Sequence, residues 1–373
     1  MRSLSVVIIV SDILLIFSAM TSCIGIHSSP PASISASGCS LILKEDGSLY
    51  AAGKNDYGQL GLGSTADAAD FRRVNISGII AVSAGDSHSL ALKSDGTLWA
   101  AGWNRYGQLG LGDTKERTVF TKVDISRVRE IAAGFHVSLV LKDDGSLWAA
   151  GYNSGGQLGS GDAVNKTTFT CIIKHGVRAI AAGNNDNHTL ILKEDGTLWA
   201  AGWNNYGQLG LGDTENRNVF TKVDISGVRH ITVGGERSFV LKNDGSLWAA
   251  GWNYYGQLGL GDSADRNIFT LIDINGARTV AANIYHTLIL KDDGTLWGAG
   301  YSGSGQLGTG DTMYSKTFTQ IKLYGIKAIS AGYSHSLALR RDDSLWAAGY
   351  NAFGQLGLEE TNSGTRFSEI LLP

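Results

Sequence analysis

The chain repeats itself, and the repeat limits its possible folds more than any other feature. LWAAGWNRYGQLGLGDT, from Leu98 to Thr114, returns as LWAAGWNNYGQLGLGDT from Leu198 to Thr214, with only Arg105 exchanged for Asn205. A shorter string, GQLG, marks seven copies through Gln59, Gln108, Gln157, Gln208, Gln257, Gln306 and Gln355, at steps of 49, 49, 51, 49, 49 and 49. A phenylalanine twelve residues past each glutamine, from Phe71 to Phe367, keeps the same count. A unit recurring at this period cannot bury its apolar face alone and must stack on its neighbours. A chain of 373 residues would ordinarily suggest two or three domains, but here one repeat array occupies residues 31–373.

Within one copy the pattern is that of strands. Ser89–Lys93 and Thr97–Ala101 are short apolar runs on either side of Asp95-Gly96. That dipeptide suggests a two-residue type I′ hairpin turn, with positive φ at both central residues. Six copies carry Asp-Gly there, and the seventh has Asp342-Asp343. Leu98–Trp103 is apolar on both faces, as a strand covered on both sides must be. In FTKVDI, from Phe120, Val123 and Ile125 alternate with Lys122 and Asp124, as on an outer edge strand. VREIAAG, from Val128, begins the next copy.

Four antiparallel strands per copy, with two apolar faces per sheet, predict an all-β fold: a seven-bladed β-propeller. An open solenoid is the rival, but neither end has a polar capping repeat. All nine tryptophans lie in the third strand or at its end, where burial of about 150–250 Å² each would stabilise blade junctions by about 4–6 kcal/mol gross. The last copy ends at its fourth strand, and the first begins with the weak leading strand ASISAS. Whether that N-terminal strand completes the last blade is open at this stage.

The pattern HSLAL…DGxLWAAGxNxxGQLGxG, as in His88–Leu92, Asp95–Asn104 and Gly107–Gly112, resembles the regulator of chromosome condensation repeat family over all seven copies. The resemblance implies a propeller scaffold and says little about activity. The eukaryotic founder is a nucleotide-exchange factor for a small GTPase on chromatin. A secreted bacterial relative of similar fold inhibits β-lactamase through loops on one face. Both uses bind proteins, and a shared fold does not decide between them.

MRSLSVVIIVSDILLIFSAMTSC precedes the repeats. One basic residue, an apolar stretch and small residues before a cysteine form a secretory signal over residues 1–22. Cys23 is the expected lipidation site of a bacterial lipoprotein, with residues 23–30 as a short tether. These features predict an exported protein at the cell envelope. Cys39 and Cys171 occupy different strand positions and are expected to be buried apolar fillers rather than a disulfide pair.

The net charge of −3 and the lack of like-charge blocks leave no footprint for nucleic acid. No nucleophile signature, phosphate loop or metal-ligand spacing is present. No catalytic residue, metal or cofactor is therefore expected, and the chain is expected to be a monomer. His88, His188, His286 and His335 share one repeat position with Cys39, Val137 and Arg237, which suits a structural contact better than a metal. Each GQLG glutamine is expected to satisfy turn backbone.

Function is sought where the copies disagree. In a meander the first-to-second and third-to-fourth connections lie on one face. Both vary sharply, and the two residues inserted in the array fall among Asn184–Asn187. The candidate partner-binding residues are Phe135, His136, Asn185, Asp186, Glu236, Tyr285, Tyr333, Arg105 and Tyr254, since aromatics with arginine are common anchors of protein interfaces. The alternative functions are a GTPase regulator and, behind it, an enzyme acting on glycan or peptide in the central channel.

Overall fold

A computed structural model describes residues 31–183, 188–358 and 361–372. Its strands form seven four-stranded antiparallel sheets, each a simple meander of consecutive strands. The second blade is representative, with strands at Ile79–Ala84, His88–Lys93, Leu98–Gly102 and Arg117–Lys122. The first strands of successive blades neighbour one another around the axis. The fourth is therefore the outer strand. It starts three residues before Phe120, and Val123 and Ile125 lie beyond it, both buried.

Leu98 and Ala100 pack toward the third blade with Val140 and Ala150. Trp99 and Ala101, on the other face, pack toward the first with Leu41 and Leu49. One apolar cluster fills each of the seven seams. The seam between last and first blades is among them, joining Ile42, Ala52 and Phe71 to Leu337, Leu345 and Leu356. An open stack would leave two faces bare, so this seventh core closes the ring.

Closure does not involve strand exchange. Pro31–Ala36 pairs with Cys39–Lys44 and opens the first blade rather than completing the last. The seam is held by side-by-side contacts: Ala36 N donates to Ser330 Oγ at 2.9 Å and Tyr333 N to Ser37 O at 3.1 Å.

Polar contacts repeat at the seams. Ser138 Oγ donates to Gln108 O at 2.6 Å and lies 2.9 Å from His88 Nε2. The hydroxyl proton goes to the carbonyl, so the ring must donate through Nε2–H, and the imidazole is the neutral Nε2–H tautomer. The same triad recurs at His188–Ser238, His286–Ser336 and His335–Ser40. Burial pushes His88 and His286 down to about 3 and His335 to about 4. Arg237, fully buried at the same repeat position, donates instead to the carbonyls of Asn283, Ile284 and His286.

The Asp-Gly turn is longer than the dipeptide suggests. Gly96 N donates to Lys93 O and Lys93 N to Thr97 O, both at 3.0 Å. The loop is Ser94-Asp95-Gly96, a type I turn followed by a left-handed glycine at φ 75°. Asp95 keeps negative φ because its carboxylate turns back to accept from Thr97 N and Oγ1. Thr97 Oγ1 in turn accepts from Trp99 Nε1 at 3.3 Å, and Lys93 Nζ sits 4.4 Å from the indole centroid. DGTLW is therefore one hydrogen-bonded chain. Trp99 and its in-strand equivalents are half-buried, so each contributes less than full burial would give. In the last blade Asp343 takes the left-handed position at φ 67°.

The two cysteines divide. Cys39 is buried, its thiol pushed up to about 12 by desolvation, whereas Cys171 is exposed. It stands on the wet face of an outer strand, opposite Trp148, where other blades carry Lys122 or Lys222.

Candidate binding face

The variable connections come together because strand geometry brings them together. In five blades the residue after the third-strand glycine bonds back to the first-to-second loop of its own blade: Trp103 N to Ser87 O, Tyr152 N to His136 O, Trp252 N to Glu236 O, Tyr301 N to Tyr285 O and Tyr350 N to Ser334 O, at 2.7–2.9 Å. Gln108 and Gln257 then fix the next turn, their Oε1 atoms accepting from Tyr106 N at 3.1 Å and Tyr255 N at 2.8 Å. The other five GQLG glutamines accept in the same way, as at Tyr57, Tyr206 and Phe353. The repeat holds the aromatic positions rigidly on one face.

Two aromatic clusters stand there. In the first, Trp103 lies 5.4 Å from Tyr57 and 4.5 Å from His136, and Tyr106 lies 4.6 Å from Tyr152. Phe135 is half-buried against His136, with ring centroids 3.8 Å apart. Burial lowers the His136 imidazole to about 4, so the ring is neutral at pH 7. In the second cluster Trp252 stacks on Tyr254 at 6.4 Å and contacts Tyr206, Tyr255 and Tyr285. Tyr255 reaches Tyr301 at 5.0 Å. Desolvation, then neighbouring Tyr254, Tyr285 and Tyr301, raise the Tyr255 hydroxyl.

Trp203 lies between these groups. A Cβ on Gly155 would fall 1.7 Å from its ring, so that glycine makes room for the indole over the third blade. At the ring closure Phe353 meets Tyr350 at 6.0 Å and lies 5.6 Å from Lys54 Nζ.

The sequence candidates distribute across this belt. Phe135 and His136 meet in the first cluster, and Arg105 is exposed beside Tyr106. Tyr254 and Tyr285 meet through Trp252 in the second, and Glu236 is half-buried with its carbonyl beneath the Trp252 amide. Tyr333 belongs to the closing seam. Asn185 and Asp186 lie outside the described residues, as do the signal segment, Cys23 and the tether. Tyr254 is 65% exposed, Phe353 37% and Tyr206 36%, whereas Phe135, Tyr285 and Tyr333 are half-buried and support their neighbours.

Sequence reasoning missed Trp103, Tyr152, Trp203, Trp252, Tyr301 and Tyr350 as face residues and placed the tryptophans at junctions. The available signal was an aromatic directly after the third-strand glycine in six of seven copies, Lys54 being the exception.

Fold and face define a class: a closed, seven-bladed repeat scaffold with a rigid aromatic belt on its loop side. Residues 31–324 match the RCC1-like domain, and residues 326–355 match the regulator of chromosome condensation (RCC1) repeat. The chain belongs to the RCC1-like family. The X-linked retinitis pigmentosa GTPase regulator of Homo sapiens is 65% identical over 34 residues, and that of Mus musculus 54% over 37 residues. These stretches cover 9% and 10% of this chain but only 3% and 4% of those relatives. Among solved structures, yeast RCC1 (Prp20) bound to Kap60 superposes with TM-score 0.79 at 21% identity, covering 95% of this chain and 90% of that one. Human WBSCR16 gives 0.79 at 23% identity, covering 88% and 94%. At such identities the likeness is one of fold.

Proposed function

We propose that the protein is a non-enzymatic binding scaffold that captures a protein partner on its aromatic loop face. One observation carries this reading: Tyr254, Tyr206 and Phe353 stand exposed on a belt whose backbone is fixed by the GQLG glutamines. Aromatics held rigid lose little entropy on binding and supply large contact area. The arrangement resembles other rigid paratopes, where tyrosine and tryptophan dominate. The Prp20 structures support protein binding as a use of this fold, one being solved with Kap60 and another described with its binding to Gsp1p and histones.

The N-terminal segment supports an exported location, with Cys23 as the lipid-bearing residue and a partner in the envelope or outside the cell. The test is capture from the native envelope with purified wild-type protein and with Tyr206→Ala/Tyr254→Ala. The variant is expected to lose the partner while its unfolding midpoint stays in place. Undiminished capture by the variant refutes the reading. Mass spectrometry of the mature N-terminus checks the lipid.

A second reading, regulation of a small GTPase, draws on the name of the retinitis pigmentosa relatives. It requires that the propeller accelerate nucleotide release from a GTPase, and that the same double variant abolish the effect.

A further inference from the structure

The opposite face carries a feature that the loop face does not explain. The innermost strand of every blade contains a β-bulge at its second residue, on the turn side of the ring. Register shifts fall between Ile79 and Ala81, Val177 and Ala179, Val228 and His230, Ala277 and Thr279, and Ile326 and Ala328. In five consecutive blades the bulged residue is a base: Arg129, Arg178, Arg229, Arg278 and Lys327. Bulges re-aim side chains, and here they turn guanidinium groups along the ring. Arg129 Nη2 donates to Val177 O at 3.0 Å, directly before Arg178, and Arg178 Nη2 donates to the carbonyl of Arg229 itself at 2.9 Å. The Arg129 and Arg178 guanidiniums thus each end beside the next base.

These charges are poorly compensated. Among the described residues Lys327 has a carboxylate partner, Asp343, but none lies within 4.0 Å of the four arginine side chains. Arg229 Nε is buried without a partner. Glu130, beside Arg129, is raised to about 7 by burial and accepts from Ile180 N. The hairpin aspartates lie outside the bases as a separate fringe that keeps its charge, Asp144 and Asp195 accepting from the hydroxyls of Ser146 and Thr197. The channel void of about 240 Å³ lies deeper, toward the loop ends of the innermost strands, where it is lined by small residues such as Ser35, Ala84, Ala132 and Ala282. A net charge of −3 coexists with an arc of bases over five of the seven blades, Ala32 and Ile80 filling the bulge in the first two, and such an arc attracts an anion to the mouth it borders.

We propose that the arginine arc at the turn-side mouth of the channel binds a small polyphosphorylated ligand, with Arg178, Arg229 and Arg278 as its principal contacts. Linked phosphates present several oxygens to several forked guanidiniums at once. This site lies on the opposite face from the proposed partner surface and does not depend on it.

Isothermal titration of the full chain with sodium tripolyphosphate tests the assignment. Saturable one-to-one binding is expected at low salt, weakening at about 0.15 M where screening shortens to about 8 Å. Arg278→Gln, which removes a side chain with no cross-blade bond among those described, is expected to weaken binding about tenfold, as loss of a charge-assisted contact does. Arg278→Lys should recover part of that loss. Arg178→Gln should add to it, and Tyr254→Ala should leave binding unchanged. Urea midpoints report whether each variant is folded, and if Arg178→Gln fails to fold, the Arg278 pair still decides. No saturable binding, binding indifferent to Arg278, or binding of citrate with none of tripolyphosphate overturns the proposal.

Discussion

Acid should unfold this ring through its buried imidazoles. His88, His286 and His335 are neutral, fully buried and committed to donating through Nε2 to a serine of the next blade. Their ordinary value is 6.5, against about 3, 3 and 4 in the fold. A folded value below the unfolded one gives a stabilisation that is complete above pH 6.5 and is lost as pH falls toward 4. At pH 5.0 the folded rings are still neutral whether they titrate near 3 or near 4, while the unfolded ones are charged. The loss is then set by the distance from 6.5 and comes to about 2 kcal/mol per histidine at about 1.36 kcal/mol per unit. Three seams together lose about 6 kcal/mol. His136, lowered to about 4, adds about 2 kcal/mol more. Glu130, raised to about 7, works in the opposite sense. It takes up its proton in the fold first and returns about 2 kcal/mol over the same interval. Urea unfolding followed by tryptophan fluorescence at pH 7.5 and 5.0 measures the net fall. His335→Gln keeps an amide donor for Ser40, and its fall should be smaller by about 2 kcal/mol, whatever its stability at pH 7.5. An unchanged fall in that variant, or the His88, His286 or His335 imidazole of the folded protein titrating near 6.5 by NMR, refutes the reasoning.

Gly110→Ala puts a Cβ 2.4 Å from the Phe169 ring at φ +69° and should cost more than about 3 kcal/mol, whereas Gly245→Ala, at φ +82° with nothing within 4 Å, should cost about 1–2 kcal/mol for backbone strain alone. Thermal unfolding of the pair separates the two terms. Arg127 holds φ 60° where other copies have Gly176 or Gly227, so Arg127→Gly should raise stability by about 1 kcal/mol, read as a higher urea midpoint. In native protein Cys171 should react with a thiol reagent at the rate of an exposed cysteine and Cys39 should not react until unfolding, since only the thiolate attacks; equal rates would contradict the burial of Cys39.

Radial architecture was legible because it is written seven times. Each copy shows apolar residues on both faces of its second and third strands, and only neighbouring blades can cover such a sheet. The period also separates structure from candidate function, because a residue present in every copy serves every blade. The GQLG glutamines and seam histidines met that expectation. Local geometry was less legible. Asp-Gly is compatible with two hairpin loops, and the choice fell to Asp95 bonding Thr97, a contact one residue outside the dipeptide. Cys171 read as apolar filler because a cysteine does not reveal which face of an outer strand it occupies.

By itself, then, the sequence determined the number of blades, their meander and the side on which variable loops gather, since periodicity and strand alternation are properties of the chain taken one residue at a time. Tertiary structure alone decided what meets across blades. It made the first blade complete without the last, turned Trp103 and Trp252 from junction residues into members of an aromatic belt, and strung Arg129, Arg178 and Arg229 into a row along three blades. These contacts join residues about one repeat apart, and their form depends on how the closed disc sets one blade against the next.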